Sequence, residues 1–414
     1  VVLPVPRSRA RRALSDRRSG VALSVLALCA LWALATRQGP FSSTSVGDLF
    51  VYDTYKLLMT VHHAVPYRDF DFEYPPGALV PIRLVGGDEA ALSWLMLGCA
   101  VVAQLAAWAM GGPRAGWLMV ALPVVAGALV RTHIDLLSSA LAMVGLWLLV
   151  APPPWPRRGA AELGFAVLAL GAMTKLWPGA LAAVGVVWLA GRGERRAALR
   201  GAVVFAAVVL AVGVPFATLG GFPSAMVRFH LDRPVQIEST AATVIEVVGG
   251  SYVTGDPIRH DRFKSNGLDG GAADAIGLLS GLALVAAALA VLALVARRPS
   301  RDALVLGSLA ITTAFVAFSK VLSPQYVCWL LPLAAVATAR GAVLGPALVA
   351  GASLLTQVWF PDHYFDVVHQ HAWAVTLVGV RNALLVLALA ATARALARSP
   401  RPAAAAPRSG SPPR

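Results

Sequence analysis

This sequence is short of charge, of lysine and of cysteine, and each shortage excludes a class of protein. Asp, Glu, Lys and Arg make up 14% of its 414 residues, too few to clothe a soluble domain of that length. Its only lysines are Lys56, Lys175, Lys264 and Lys320, so arginine carries most of the formal charge of +14. No stripe of those arginines is interleaved with aromatics in a polar segment, which excludes a nucleic-acid interface. The cysteines, Cys29, Cys99 and Cys328, sit singly in apolar runs. Lacking CxxC or Cys/His spacing, they form no disulfide framework or zinc site and read as packing residues. His62, His63, His363, His369 and His371 lack HExxH or comparable spacing, so neither a metal nor another cofactor is expected. Polarity does not alternate at every second residue either, which removes the signature of a membrane β-barrel.

What the sequence has is apolar length: 57% of it is hydrophobic and its mean hydropathy is +0.69. A helix crosses the hydrocarbon core with about 20 mostly apolar residues, and short polar or Pro/Gly-rich breaks divide the chain into such pieces. The expectation is an all-α, polytopic integral membrane protein of about twelve transmembrane helices. The spans fall near 21–36, 89–110, 115–130, 136–151, 160–174, 178–190, 201–218, 273–296, 303–319, 326–339, 342–359 and 373–393. Residues 1–20 form a basic cytoplasmic tail, 21–393 the membrane domain with outer loops 37–88 and 220–272, and 394–414 a disordered cytoplasmic tail. The basic start followed by Val21–Thr36 imitates a secretory signal, but the many later spans favour an uncleaved first helix. With the N-terminus inside, the inner breaks and both tails hold 22 basic residues against 4 acids, and the outer side 13 against 17. That asymmetry follows the positive-inside rule and puts both termini in the cytoplasm.

Acids gather after the first span. FSSTSVGDLFVYDTYKLLMTVHHAVPYRDFDFEYPPGALV, residues 41–80, holds Asp48, Asp53, Asp69, Asp71 and Glu73 with four tyrosines. Asp48, Tyr52 and Tyr55 lie four and three residues apart, so a helix from about Asp48 to His62 carries one carboxylate and two phenols on a single face. Pro66 and the Pro75-Pro76 pair break helix and force a bent segment before the chain re-enters the membrane. Asp48 stands about a dozen residues past the first span, where a carboxylate can take a proton from an attacking hydroxyl. Capping the helix that begins at Leu49 is its plainer role.

Other polar groups sit where an apolar protein needs a reason for them. Lys175, in GAMTKLWPGAL, requires an anion at that depth, for which a lipid phosphate is suited; snorkelling beside Trp177 is the alternative. Arg131, His133 and Asp135 form either a structural ion pair or part of a sugar site. Arg228, His230, Asp232, Arg233, Gln236 and Glu238 share one loop: arginine's fork suits phosphate, and Gln236 and Glu238 suit sugar hydroxyls. Lys320, Gln325 and Tyr326 lie at the mouth of a later span.

These motifs together, D-x-x-x-Y at Asp48, VPYRDFDFEYPPGAL from Val65, RPVQIEST from Arg233 and SPQYVCWLLP from Ser323, resemble glycosyltransferase family 87 of the GT-C superfamily. The resemblance runs roughly from Asp48 to Arg381, with one departure, Ala64, where the pattern leads to glycine. It implies a GT-C-like enzyme of a bacterial plasma membrane that takes mannose or a similar hexose from a polyprenyl-phosphate donor and passes it to a lipid or glycan acceptor. Linkages of similar enzymes are α-1,2, formed with inversion on the outer face. Asp48 maps onto the family's base. The donor phosphate then falls to Lys175, Arg233 and Lys320, and sugar or acceptor to Tyr52, Glu73, Tyr74, His133, Asp135, Gln236, Glu238, Gln325 and Tyr326. The competing reading is a transporter or flippase of glycolipids. Most charges here, however, gather at span ends rather than at the bilayer midplane, where transporters keep theirs.

Overall fold

The computed structural model describes residues 7–35, 42–43, 47–152, 159–247, 262–263, 265–268 and 270–400, with backbone alone for 7–17. Arg157, Arg158, Lys264, the middle of the loop 220–272 and the tail beyond 400 lie outside them. Among the described residues the elements are α1 (Arg7–Ala35), α2 (Leu49–Thr60), α3 (Leu79–Val85), α4 (Glu89–Leu118), α5 (Leu122–Ala126) and α6 (Leu129–Thr132). They continue with α7 (Asp135–Val150), α8 (Ala160–Ala172), α9 (Pro178–Gly191), α10 (Arg195–Gly220), α11 (Ser224–Asp232) and α12 (Thr240–Val247). The last are α13 (Gly271–Arg297), α14 (Arg301–Phe318), α15 (Val327–Ala339), α16 (Leu344–Trp359), α17 (Tyr364–Val368) and α18 (Ala372–Arg398). A two-residue antiparallel pair, β1 (Val235–Gln236) and β2 (Gly267–Leu268), ties the two halves of the long loop together.

The all-α, polytopic expectation holds. Among the described residues six helices are long and apolar enough to cross a membrane, and six further apolar helices are shorter. Leucines and valines of α10 and α13 face outward, Leu210 and Leu278 among them. Such a surface is stable against lipid and not against water. Helix α14 is the reverse, mostly buried among α9, α13, α15 and α18.

The expected spans 89–110 and 115–130 are two helical segments that meet within α4 at Gly112, whose non-helical φ of 69° only glycine adopts freely; beyond it the chain folds back, so that Gln104 Nε2 donates to the Gly116 carbonyl (3.1 Å). Boundaries differ in two places. Helix α1 starts at Arg7 rather than after residue 20, and α18 continues to Arg398, so the expected tails are helical where they adjoin the first and last spans.

Ion pairs form among residues that the sequence assigned to the same side. Arg192–Glu194, Arg200–Glu162 and Arg340–Asp302 pair within the inner set. Arg131–Glu89, Lys175–Asp135, Arg233–Glu73 and the Arg262 bridge to Asp71 and Asp232 pair within the outer set. Among the described residues no ion pair joins one set to the other.

The segment after the first span folds onto the later spans through two unusual backbone positions. Gly77 donates its N–H to the Met173 carbonyl (2.6 Å), and a Cβ there would stand 2.5 Å from that oxygen. Only glycine lets the PPG turn approach the Lys175 turn so closely. Tyr67 has a φ of 69°, a conformation costing a non-glycine residue about 1–3 kcal/mol. Its hydroxyl donates to the Tyr74 carbonyl (2.7 Å) and its ring meets Phe72, Phe216 and Phe222. Those contacts hold the strained turn and, through it, Tyr74.

Candidate active site

Helix α2 presents Asp48, Tyr52 and Tyr55 on the expected face. Tyr55 packs on Phe70 and Phe72, while Tyr52 turns back to the carboxylate. Asp48 occupies the cap position, but its side chain makes no capping bond. Instead Oδ2 accepts from the Tyr52 hydroxyl (3.1 Å), the Tyr74 hydroxyl (3.2 Å) and Gln325 Nε2 (3.5 Å). Burial first, and then the neighbouring Asp48 charge, push both phenols well above their ordinary value. They stay protonated and donate. The other oxygen, Oδ1, lies 3.8 Å from His133 Nε2.

Asp48 opens on a polar cavity of about 260 Å³, whose lining includes Glu73, Tyr74, His133, Lys175, Arg233, Glu238, Gln325 and Tyr326. A second cavity of about 320 Å³ adjoins it and is walled mainly by apolar and aromatic side chains, Leu176, Trp177, Met226, Leu231, Phe315 and Trp329, with Lys320 at its edge. Five residues line both: Glu73, Tyr74, Lys175, Arg233 and Tyr326. Two of the five are cations at the boundary between a polar chamber and an apolar one.

Each cation is held in place. Lys175 Nζ lies 3.2 Å from Asp135 Oδ2, 4.7 Å from the centroid of the Tyr74 ring and 5.9 Å from those of Tyr326 and Trp329. Asp135 also accepts from Trp329 Nε1 (2.6 Å), and Trp329 stacks between Tyr326 and Trp177. Arg233 donates to Glu73 Oε2 (3.1 Å) and Ser265 Oγ (2.8 Å), and His230 Nε2 donates to the Glu73 carbonyl (2.9 Å). Lys320 donates to the Leu231 carbonyl (2.9 Å).

Of the residues named from sequence, Asp48, Glu73, Tyr74, His133, Lys175, Arg233, Glu238, Gln325 and Tyr326 line the polar cavity, and Lys320 the apolar one. Others stand elsewhere. Tyr52 is fully buried behind Asp48, also accepting from the Ile134 N–H (3.3 Å), so it orients the carboxylate and does not face the cavity. Asp135 is fully buried as the partner of Lys175. Gln236 lies in β1, where its backbone N–H donates to the Lys320 carbonyl and its side chain accepts from Ser323 Oγ (3.4 Å). Arg131 pairs with Glu89 and the Ser42 carbonyl, not with Asp135.

Several wall residues carried no signal in sequence: Ser265, Asn266, Phe360 and Tyr364 arrive from loops far along the chain. Arg381 did carry one, a charge inside a span, which needs a partner. It is fully buried, donating Nη2 to the Glu238 carbonyl (2.9 Å) while Asn382 Nδ2 donates to the same oxygen (3.1 Å). The pair fixes Glu238 in the cavity wall. His363 and His371 flank Asp366 at 2.9 and 2.8 Å on the exposed surface beyond the cavity.

Burial pushes the Glu238 carboxyl up to about 7 from its ordinary 4.5. The folded state therefore holds this proton longer than the unfolded one, and stability falls as pH rises from about 4.5 through about 7. The loss is roughly 3 kcal/mol at most. Glu238→Gln is expected to flatten the pH dependence of the melting temperature across that window; an unchanged profile would assign it to another group.

The profile of glycosyltransferase family 87 matches residues 72–254, a stretch that holds Glu73, Tyr74, His133, Lys175, Arg233 and Glu238; Asp48 and Ser323–Tyr326 lie outside it. No curated protein matches the chain. A crystal structure of ArnT from Cupriavidus metallidurans bound to undecaprenyl phosphate aligns with 91% of this chain and 76% of that one, at 16% identity and a TM-score of 0.47. The family match falls on both boundary cations and on most of the polar cavity's charged wall, and it supports a membrane glycosyltransferase similar to glycosyltransferase family 87.

Proposed function

We propose that the protein transfers a hexose, mannose on the family resemblance, from a polyprenyl-phosphate donor to a hydroxyl of a lipid or glycan acceptor. The reaction runs on the outer face of the membrane, with both termini inside, inverts the anomeric centre and draws on no metal. The observation that carries the reading is the boundary between the two cavities. An isoprenoid chain fits the apolar chamber, its phosphate meets Lys175 and Arg233, and the sugar enters the polar chamber that ends on Asp48. In that arrangement Lys175, Arg233 and Lys320 stabilise the charge that develops on the departing phosphate. One base and one displacement invert the centre without a covalent intermediate.

The placement of the phosphate is tested with ligands that lack the sugar. Polyprenyl phosphate is expected to compete with the donor at least tenfold better than polyprenol of equal length, because only the phosphate reaches the boundary cations. Equal competition by the alcohol would contradict the reading.

A further inference from the structure

The hydrogen bonds around His133 determine where its proton sits. Thr132 has one hydroxyl hydrogen, and it goes to the Ala128 carbonyl one turn back (3.0 Å). Toward His133 Nδ1, 2.8 Å away, Thr132 Oγ1 is therefore an acceptor, and Nδ1 carries the hydrogen. Neutral His133 then turns a bare Nε2 toward Asp48 Oδ1 at 3.8 Å. Two lone pairs face each other there, at a distance too long for a hydrogen bond. The opposite carboxylate oxygen already accepts from Tyr52, Tyr74 and Gln325, so Oδ1 is the oxygen left to take a proton.

We propose that His133 is a positioning residue that receives this proton from Asp48, making the pair a two-stage base; the assignment rests on the sugar-transfer reading above. As the acceptor oxygen bonds to the anomeric carbon, the carbon–phosphate-oxygen bond breaks with its electron pair leaving on the phosphate. The acceptor O–H bond breaks toward Asp48 Oδ1; the new carboxyl O–H draws Oδ1 and the bare Nε2 from 3.8 Å to hydrogen-bond distance, and the proton moves on to His133 Nε2, restoring the carboxylate. The imidazolium formed lies beside Asp48 before α2 and within charge range of Asp135 of α7; it shares the cavity wall with Glu73 and Tyr74 of the loop, Lys175 between α8 and α9, and Tyr326 before α15, with Tyr52 of α2 behind Asp48. Asp48 and Asp135 favour it, and Lys175 opposes it.

The arrangement has a consequence that packing alone lacks. When His133 is protonated before substrate arrives, Nε2–H bonds to Oδ1 and blocks the base, so the acid limb of kcat/KM follows the imidazole and not the carboxylate. The test is kcat/KM against pH for purified full-length protein in lipid, with mannosyl polyprenyl phosphate as donor and octyl α-mannoside as acceptor. His133→Gln is expected to displace the acid limb and to lower the plateau about tenfold. Thr132→Val, which lets the imidazole place its hydrogen on Nε2 and donate it to Asp48, is expected to lower the plateau with the limb unmoved. An acid limb unchanged in His133→Gln, with wild type active and Asp48→Asn inactive, overturns the relay alone. Inactive wild type overturns the sugar-transfer reading and the relay with it.

Discussion

Asp48→Asn is expected to lower kcat for sugar transfer by about 10²–10⁴-fold, the range over which a positioned general base acts, while donor affinity stays within about twofold. The amide keeps the shape of the carboxylate, and its oxygen still accepts from the Tyr52 and Tyr74 hydroxyls that converge on Oδ2. Only the capacity to take a proton is lost. Donor affinity is retained because the proposed phosphate position is across the cavity at Lys175 and Arg233, neither of which touches Asp48. Rates of transfer and equilibrium binding of polyprenyl phosphate, measured on the same preparation, separate the two effects. A variant that loses binding in step with transfer would mean that Asp48 holds the site together and has no role as base.

The second large effect is expected at Lys175, and it divides into stability and rate. Lys175→Met leaves Asp135, fully buried, without its cation, a change that costs about 3–5 kcal/mol. It also removes a positive charge from the boundary where the leaving phosphate sits, worth about 10²–10³ in kcat for a single stabilising donor. Adding Asp135→Asn is expected to restore most of the stability, because the amide still accepts from Trp329 Nε1 and leaves no uncompensated charge. Transfer should not recover. Melting temperature and turnover of the single and double variants form the check; recovery of both would reduce Lys175 to a structural counter-ion.

Sequence reached the site where its logic is local. The i, i+4 relation of Asp48 and Tyr52 is a helical spacing, and α2 delivers it within two residues of the expected bounds. Span positions followed from apolar runs. What escaped depends on packing between distant segments. Asp135 serves Lys175 from a helix forty residues earlier, and nothing in ALVRTHIDLL distinguishes that role from a sugar contact. Gln236 suited hydroxyls by type, yet its strand pairing turns it into the wall behind Ser323. The break at Gly112 was readable from the Gly-Gly-Pro-Arg stretch between two apolar runs, though not the φ of 69° that turns the chain there. Ala64 takes the place of an expected glycine without strain because the positive φ values of this turn fall on His63 and Tyr67 instead.

The measurement closest to the central claim is transfer itself: purified protein in lipid bilayers, mannosyl polyprenyl phosphate labelled in the sugar, and candidate acceptor lipids, with the anomeric configuration of the product read by NMR. The account predicts acceptor-dependent transfer with inversion, absent in Asp48→Asn. Saturable binding of the donor with no transfer to any acceptor, or movement of the intact donor across the bilayer, would contradict it and make this site a glycolipid carrier.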